Sequence, residues 1–309
     1  MNAMDRIEFH AMGTQVTAVV DAEALPSLDQ VPLWFAGWEK TLSRFREDGE
    51  LSRLNRTTGT RHSVSPTLLE VLQASLAAAV VSEGLVVPTL HDAMLAEGYD
   101  RSFDEMIAVS SADRKRVASR PDGLWKSIEV NQVEGSVHLP LGARLDLGGI
   151  AKGWAADRAA RMLSASGPAL VDAGGDISVT GPPQDGYGWP IGVADPYQPG
   201  KTIELLMVEA GGIATSGRDR RRWMQDGQWK HHIIDPRTGL SARTDVLTAT
   251  VLAPDVLQAE VAAKVALILG SREGLQWIEE RPWLAGLLVL GNGELCPSSR
   301  LHQYQWSAV

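Results

Sequence analysis

Residues 143–157 read Ala143-Arg-Leu-Asp146-Leu-Gly148-Gly149-Ile-Ala-Lys152-Gly153-Trp-Ala-Ala-Asp157. The types and spacing suit a phosphate. An apolar strand delivers the Asp146 carboxylate, and Gly148-Gly149 turns the chain. Lys152 then stands at the start of a helix expected over Ala151 to Leu163. Strand, glycine turn, lysine and helix together offer backbone N–H groups and one cation to an anionic ligand. The G-x-x-x-x-G-K-[ST] spacing of a Walker A loop is absent. Gly-Gly before a helix is equally plain turn chemistry. A second such turn, Asp172-Ala-Gly-Gly-Asp176, follows a buried strand. Further on, Arg218, Arg220, Arg221 and Arg222 form a basic turn, fit for a phosphate, an acidic partner or solvent. The pair His231 and His232 precedes Asp235-Pro-Arg-Thr-Gly239, whose proline and glycine mark a tight turn.

Several elements must position these groups. Arg6 to Val20 alternates as a strand does, with an interruption at Met12-Gly13-Thr14 that reads as a bulge. Leu33 to Leu42 is expected to be helical, with Trp34, Phe35 and Trp38 toward the core. Asp48 to Asn55 suits a short capped helix. Ser65 to Ser82 is a strong amphipathic helix with Pro66 in its first turn and Glu83-Gly84 at its end. Leu85 to Leu90 is an apolar loop or short strand, and Ala93 to Glu97 a short helix. Residues 104–126 are polar and read as a surface excursion. Two alternating strands within Ser127 to Leu145 meet at Glu134-Gly135. Strands are also expected at 192–195, 203–210, 212–215, 246–252 and 284–290, and helices at 258–269 and 274–280. Many strands, few long helices and no regular βαβ alternation favour an α+β fold.

The totals bound the function. The 309 residues carry 29 Lys and Arg against 38 Asp and Glu, a net charge of −9, which argues against a general nucleic-acid surface. The single cysteine, Cys296, excludes an internal disulfide framework and a thiolate metal cluster. The N-terminal ten residues show no signal peptide or lipoprotein cysteine, and no apolar run reaches membrane-spanning length, so a cytoplasmic protein with no membrane partner is expected.

Taken in order, Met12-Gly-Thr14, Asp48-Gly-Glu-Leu-Ser-Arg-Leu-Asn55, Asp146-Leu-Gly-Gly-Ile-Ala-Lys-Gly153, Asp172-Ala-Gly-Gly-Asp-Ile177, Ile213-Ala-Thr-Ser-Gly217 and His232-Ile-Ile-Asp-Pro-Arg-Thr-Gly239 resemble the ApbE-like family, the FAD:protein FMN transferases, over roughly residues 7–295. The resemblance implies one ApbE-like domain over 1–309: α+β, mixed or antiparallel sheets with packed helices, in two intimately associated lobes holding FAD. It implies Mg²⁺-assisted cleavage of FAD, transfer of FMN to a Thr or Ser of an acceptor protein, and release of AMP. It places Met12 and Phe45 near the flavin, Phe45 standing where a tyrosine is usual. It places Leu85, Val86, Val87, Asp146, Lys152 and Ile233 against FAD, the Gly149 carbonyl on the metal, and His232 at the reaction centre. The chemistry agrees in kind. Pyrophosphate cleavage needs positive charge on the developing oxyanions, a role for Lys152, and a base at the acceptor hydroxyl. His232 suits that second role, with an ordinary pKa of about 6.5. His231 is its natural control.

Two motifs depart from the family pattern. The usual Ala-Asp-x-x-x-Thr, whose Asp and Thr bind Mg²⁺, is Ala259-Glu-Val-Ala-Ala-Lys264 here, so Glu260 and Lys264 stand at the metal positions. A protonated lysine cannot ligate Mg²⁺. A Glu-to-Lys i,i+4 pair is also an ordinary helix-surface arrangement, worth about 0.2–0.5 kcal/mol. Gly84-Leu-Val-Val-Pro-Thr89 carries Val87 where the family has a carboxylate. Three readings follow: a working transferase in which Lys264 replaces the metal charge or Glu260 alone keeps Mg²⁺; an FAD-binding store or sensor; or a pyrophosphatase giving FMN and AMP.

Overall fold

The structure is a computed structural model, and it describes residues 4–21, 28–107, 123–184, 186–225 and 227–306. Most of the expected excursion at 104–126 lies outside the described residues. The chain forms two compact units, one of residues 1–35, 152–219 and 244–309, the other of residues 36–151 and 220–243.

The first unit is built on an eight-stranded sheet. Its order is Asp5–Ala11, Thr14–Val20, Ala169–Ala173, Asp176–Val179, Gly211–Gly217, Val246–Ala253, Ala285–Leu290 and Leu295–Pro297. Every pairing is antiparallel. The expected bulge at Met12-Gly13 is instead a hairpin turn. Ala11 pairs with Thr14, and the two residues between them have φ of +52° and +67°. A two-residue turn with positive φ at both centres matches the strand twist, and Gly13 supplies one of them without steric cost.

Successive strand residues point to opposite faces, and Gly212 and Ile213 show what covers each. A Cβ on Gly212 would fall into the Val256 backbone, at the start of the Val256–Leu269 helix, so that helix lies close against the sheet. Ile213 enters the other face, in a core with Trp189, Ile191 and Val193 from the Trp189–Ala194 strand and Leu206 and Val208 from its partner Thr202–Val208. The Val256–Leu269 helix is apolar nearly all round and almost wholly buried, as a helix sandwiched inside a unit must be. Asp255 caps it by accepting the Gln258 N–H at 2.8 Å.

In the second unit the Pro66–Val81 helix begins as expected: the Ser65 hydroxyl accepts the Leu68 N–H. The short helix Glu50–Asn55 starts at Gly49 without a side-chain cap. The 127–145 stretch yields a three-residue strand pair, Glu129–Asn131 with Ser136–His138, and Arg61–Ser63 adds a third strand. Residues 143–147 are not a strand. Asn55 takes the role of a neighbouring strand there: its amide donates to the Leu145 carbonyl at 2.8 Å and accepts the Leu145 N–H at 2.7 Å. Among the described residues no helix is long and apolar enough to cross a membrane.

Candidate active site

In the first unit, the Ala151–Leu163 helix carries Lys152 on its first turn, and the Asp172–Asp176 hairpin and the Val256–Leu269 helix bring carboxylates to it. The Lys152 ammonium bonds Asp176 and lies 3.7 Å from Glu260 Oε1. Lys264 Nζ donates to the same Oε1 at 2.9 Å. Asp172 completes the group, its Oδ1 accepting the Gly175 N–H at 2.7 Å across the Gly174-Gly175 turn. Burial pushes the Asp172 carboxyl up from its ordinary range, the nearby Asp176 charge adds to that, and the Gly175 bond and Lys152 oppose it. Burial likewise raises Glu260, again with Asp176 adding and the two lysines opposing.

The Glu260–Lys264 pair is therefore not a surface arrangement. Glu260 is fully buried, and the Lys264 side chain is only 15% exposed. Among the described residues the Glu260 Oε2 is buried without a hydrogen-bond partner. It faces Gly153, where a Cβ would stand 2.5 Å from Oε2 and 3.6 Å from a Val256 methyl. That contact explains the glycine after Lys152: the two helices approach with a carboxylate in the space a side chain would need.

These residues do not fit the divalent metal that the resemblance implies. Mg²⁺ takes oxygen ligands at about 2.0–2.1 Å in octahedral geometry. One Glu260 oxygen is taken by an ammonium, which has no lone pair to offer, and the other faces carbon. A divalent ion about 4 Å from the Lys264 ammonium would be repelled by about 8 kcal/mol at an effective dielectric of about 20, twice the unit-charge value. Glu260, which the resemblance gives as a metal ligand, holds Lys264 in this structure. Gly149 sits in the turn Gly148–Ile150 of the second unit, ahead of the helix.

The second unit gathers another set. Asp146 is pinned from three sides. Its Oδ2 pairs with Arg44 Nε at 2.6 Å, with both side chains at most 10% exposed. Its Oδ1 accepts the Gly148 N–H, and its own N–H donates to the Pro88 carbonyl, both at 2.8 Å. The last bond ties the Leu85–Val87 loop to the glycine turn. Val86 and Val87 are buried there, and Ser82 Oγ accepts the Val86 N–H at 2.9 Å. The Arg44 guanidinium also stacks 4.1 Å over Phe45 and 4.9 Å over Tyr99. Phe45 meets Tyr99 edge-on at 5.6 Å, and Tyr99 stacks on Trp223 at 5.3 Å. Phe45, 38% exposed, is thus the accessible end of an aromatic row. Sequence reasoning missed Arg44 and Tyr99; the only available signal was the charge of Arg44 beside Phe45.

The two histidines separate cleanly. His231 ends the Gln228–His231 strand and is buried. Its Nδ1 accepts the Ile233 N–H at 3.3 Å, so its Nε2 carries the proton and donates to the Ala242 carbonyl at 3.0 Å. Both ring nitrogens are spent on the loop. His232 is half-buried at the bend that follows, and Ile233 is buried beside it. Asp235 to Gly239 is a tight turn between the Ile234–Asp235 and Leu240–Ser241 strands, closed by a forked Arg237–Asp235 pair. Arg218, by contrast, belongs to the framework of the first unit, donating to the Val246 carbonyl at 2.8 Å. Arg222 lies 4.8 Å over the Trp229 ring. Met12 occupies the hairpin tip of the first unit.

The sequence profile of the ApbE family matches residues 12–288. The chain belongs to the ApbE family. An FAD:protein FMN transferase of Treponema pallidum (strain Nichols) is 30% identical, over 87% of this chain and 78% of its own. One from Klebsiella pneumoniae (strain 342) is 28% identical, over 85% and 81%. Among solved structures, the ApbE protein of Thermotoga maritima matches with a TM-score of 0.87 at 25% identity, covering 99% of this chain and all of that one. The expected α+β fold of antiparallel sheets and packed helices is that of these ApbE structures.

Proposed function

We propose that this chain is a flavin transferase: it takes FAD as substrate, passes the FMN moiety to a Thr or Ser hydroxyl of an acceptor protein, and releases AMP. The observation that supports this most is family membership over residues 12–288, with relatives of that activity at 28–30% identity. In the reaction the acceptor oxygen attacks the FMN phosphorus and the bond from that phosphorus to the bridging oxygen breaks. AMP leaves with the bridging oxygen, and FMN is left as a phosphoester on the acceptor.

The chain's own residues divide the work. His232 takes the hydroxyl proton; its neighbour His231 has no nitrogen to spare. Lys152 supplies positive charge to the pyrophosphate, oriented by Asp176. Phe45 offers its exposed ring to the isoalloxazine, with Tyr99 and Arg44 behind it. Leu85, Val86, Val87, Ile233 and Met12 are taken as flavin contacts on the strength of the family resemblance. Asp146 acts through its pairing with Arg44 and the Gly148 amide, which hold the glycine turn in shape. No step here passes through a metal. The cytoplasm is the proposed location.

The test is incubation of the protein with FAD and a Thr-containing acceptor peptide, following AMP by chromatography and flavin on the peptide by mass. Flavinylated peptide with equimolar AMP is the expected result. Bound flavin without AMP would make the chain a store or sensor, and AMP with free FMN a pyrophosphatase.

A further inference from the structure

We infer that this protein carries its site cation covalently: the Lys264 ammonium fills the place on Glu260 that a divalent ion would otherwise take, closing that place to metal. Three observations support this. Lys264 Nζ lies 2.9 Å from Glu260 Oε1, within one helix, so the cation is delivered by the same i,i+4 spacing that places the carboxylate. Both side chains are withdrawn from solvent, at 15% and 1% exposure, so water does not screen the pair. The second ammonium, Lys152, stands 3.7 Å from the same oxygen and is itself held by Asp176. Two cations and two carboxylates thus form one largely buried group, with Asp172 alongside. An incoming divalent ion would meet both ammonium groups and find one oxygen, Oε2, packed against Gly153.

The consequence for the flavin chemistry rests on the transferase reading above. Lys152 and Lys264 are then the fixed positive charges of the first unit's site, present at any metal concentration. FAD cleavage should proceed equally with Mg²⁺ and with chelator.

Mn²⁺ is the probe for the site itself, because free Mn²⁺ gives an electron paramagnetic resonance signal that falls on binding. The full chain is titrated with Mn²⁺, with and without FAD, against FAD alone. The free signal should match the protein-free control in both cases. Uptake of one Mn²⁺ per chain would overturn the inference. The Lys264→Thr variant, checked for folding by circular dichroism, should tighten Mn²⁺ binding at least about tenfold, a change of 1.4 kcal/mol. A folded variant that still takes up no Mn²⁺ would also overturn it, since the lysine would then not be what excludes the ion. If that variant does not fold, the wild-type titration still decides. AMP release is measured alongside: equal rates in EDTA and Mg²⁺ support the inference, and release only with Mg²⁺ overturns it. No AMP under either condition removes the transferase reading, and the Mn²⁺ titration still decides the metal question.

Discussion

Replacing Gly153 with alanine separates two opposed forces at one atom. Helix propensity alone favours the change, since glycine inside a helix costs about 0.8–1.0 kcal/mol relative to alanine. Packing opposes it. The new Cβ would stand 2.5 Å from Glu260 Oε2 and 3.5 Å from its Cδ, whereas ordinary contacts lie beyond about 3.4 Å. A surface carboxylate would swing away at little cost. Glu260 cannot, being fully buried and held through its other oxygen by Lys264. Either the helices part, an overpacking strain of about 1–3 kcal/mol, or the carboxylate leaves its ammonium, and breaking a buried pair costs about 3–5 kcal/mol. Less the propensity gain, the expected net loss is about 0–2 kcal/mol if the helices part and about 2–4 kcal/mol if the pair breaks. Urea unfolding followed by circular dichroism measures it as a lowered midpoint at unchanged slope. The double variant Gly153→Ala with Glu260→Asp shortens the carboxylate by one methylene and should recover part of the loss, a coupling expected of touching residues. A Gly153→Ala protein more stable than wild type by the whole propensity gain, about 1 kcal/mol, would refute the close approach and with it the buried position of Glu260.

Other perturbations test the rest of the site. Asn55→Asp keeps the acceptor for the Leu145 N–H but removes the donor to its carbonyl, which should cost about 1–3 kcal/mol for the buried group left unpaired; an unchanged urea midpoint would mean Asn55 does not hold the 143–147 stretch. Arg44→Ala strands the Asp146 carboxylate, with an expected loss of about 3–5 kcal/mol. Arg44→Ala with Asp146→Ala should be less destabilised than Arg44→Ala alone, and a double variant no better than the single would count against the pairing. Asp172 tests the sign of burial. Its folded pKa is raised, so the folded chain holds a proton that the unfolded chain has lost, and stability falls as pH rises from the ordinary carboxylate range through the raised value. Asp172→Asn keeps an acceptor for Gly175 and should flatten stability above the ordinary carboxylate range relative to wild type; an unaltered slope would exclude Asp172 as its source.

What was legible in the sequence was local. Lys152 at a helix start, the turns at Gly174-Gly175 and Asp235–Gly239, and the helix over 66–81 all follow from rules that act within a few residues, and each is found in place. Partners distant in sequence were not legible. No periodicity announces that Asn55 pairs the backbone of Leu145, ninety residues on, or that Arg44 leaves its own segment to clamp Asp146. The expectation for 143–147 is a strand, because local rules assign its backbone to a neighbouring strand, whereas a distant side chain can satisfy it as well. Glu260 and Lys264 show the same limit most sharply. At i,i+4 the two residues fit a solvated helix face as well as a buried site, and the spacing is identical in both. What decides is that the surrounding helix is apolar nearly all round, so most of it is buried. The run Ala259-Glu-Val-Ala-Ala-Lys-Val-Ala-Leu-Ile-Leu269 already contains that fact. Two charged residues inside an apolar helix must find each other or another charge, because an unpaired ion there costs several kcal/mol. The lysine at position 264 is therefore the compensation that a buried Glu260 requires. A carboxylate there bound to a metal would not need it.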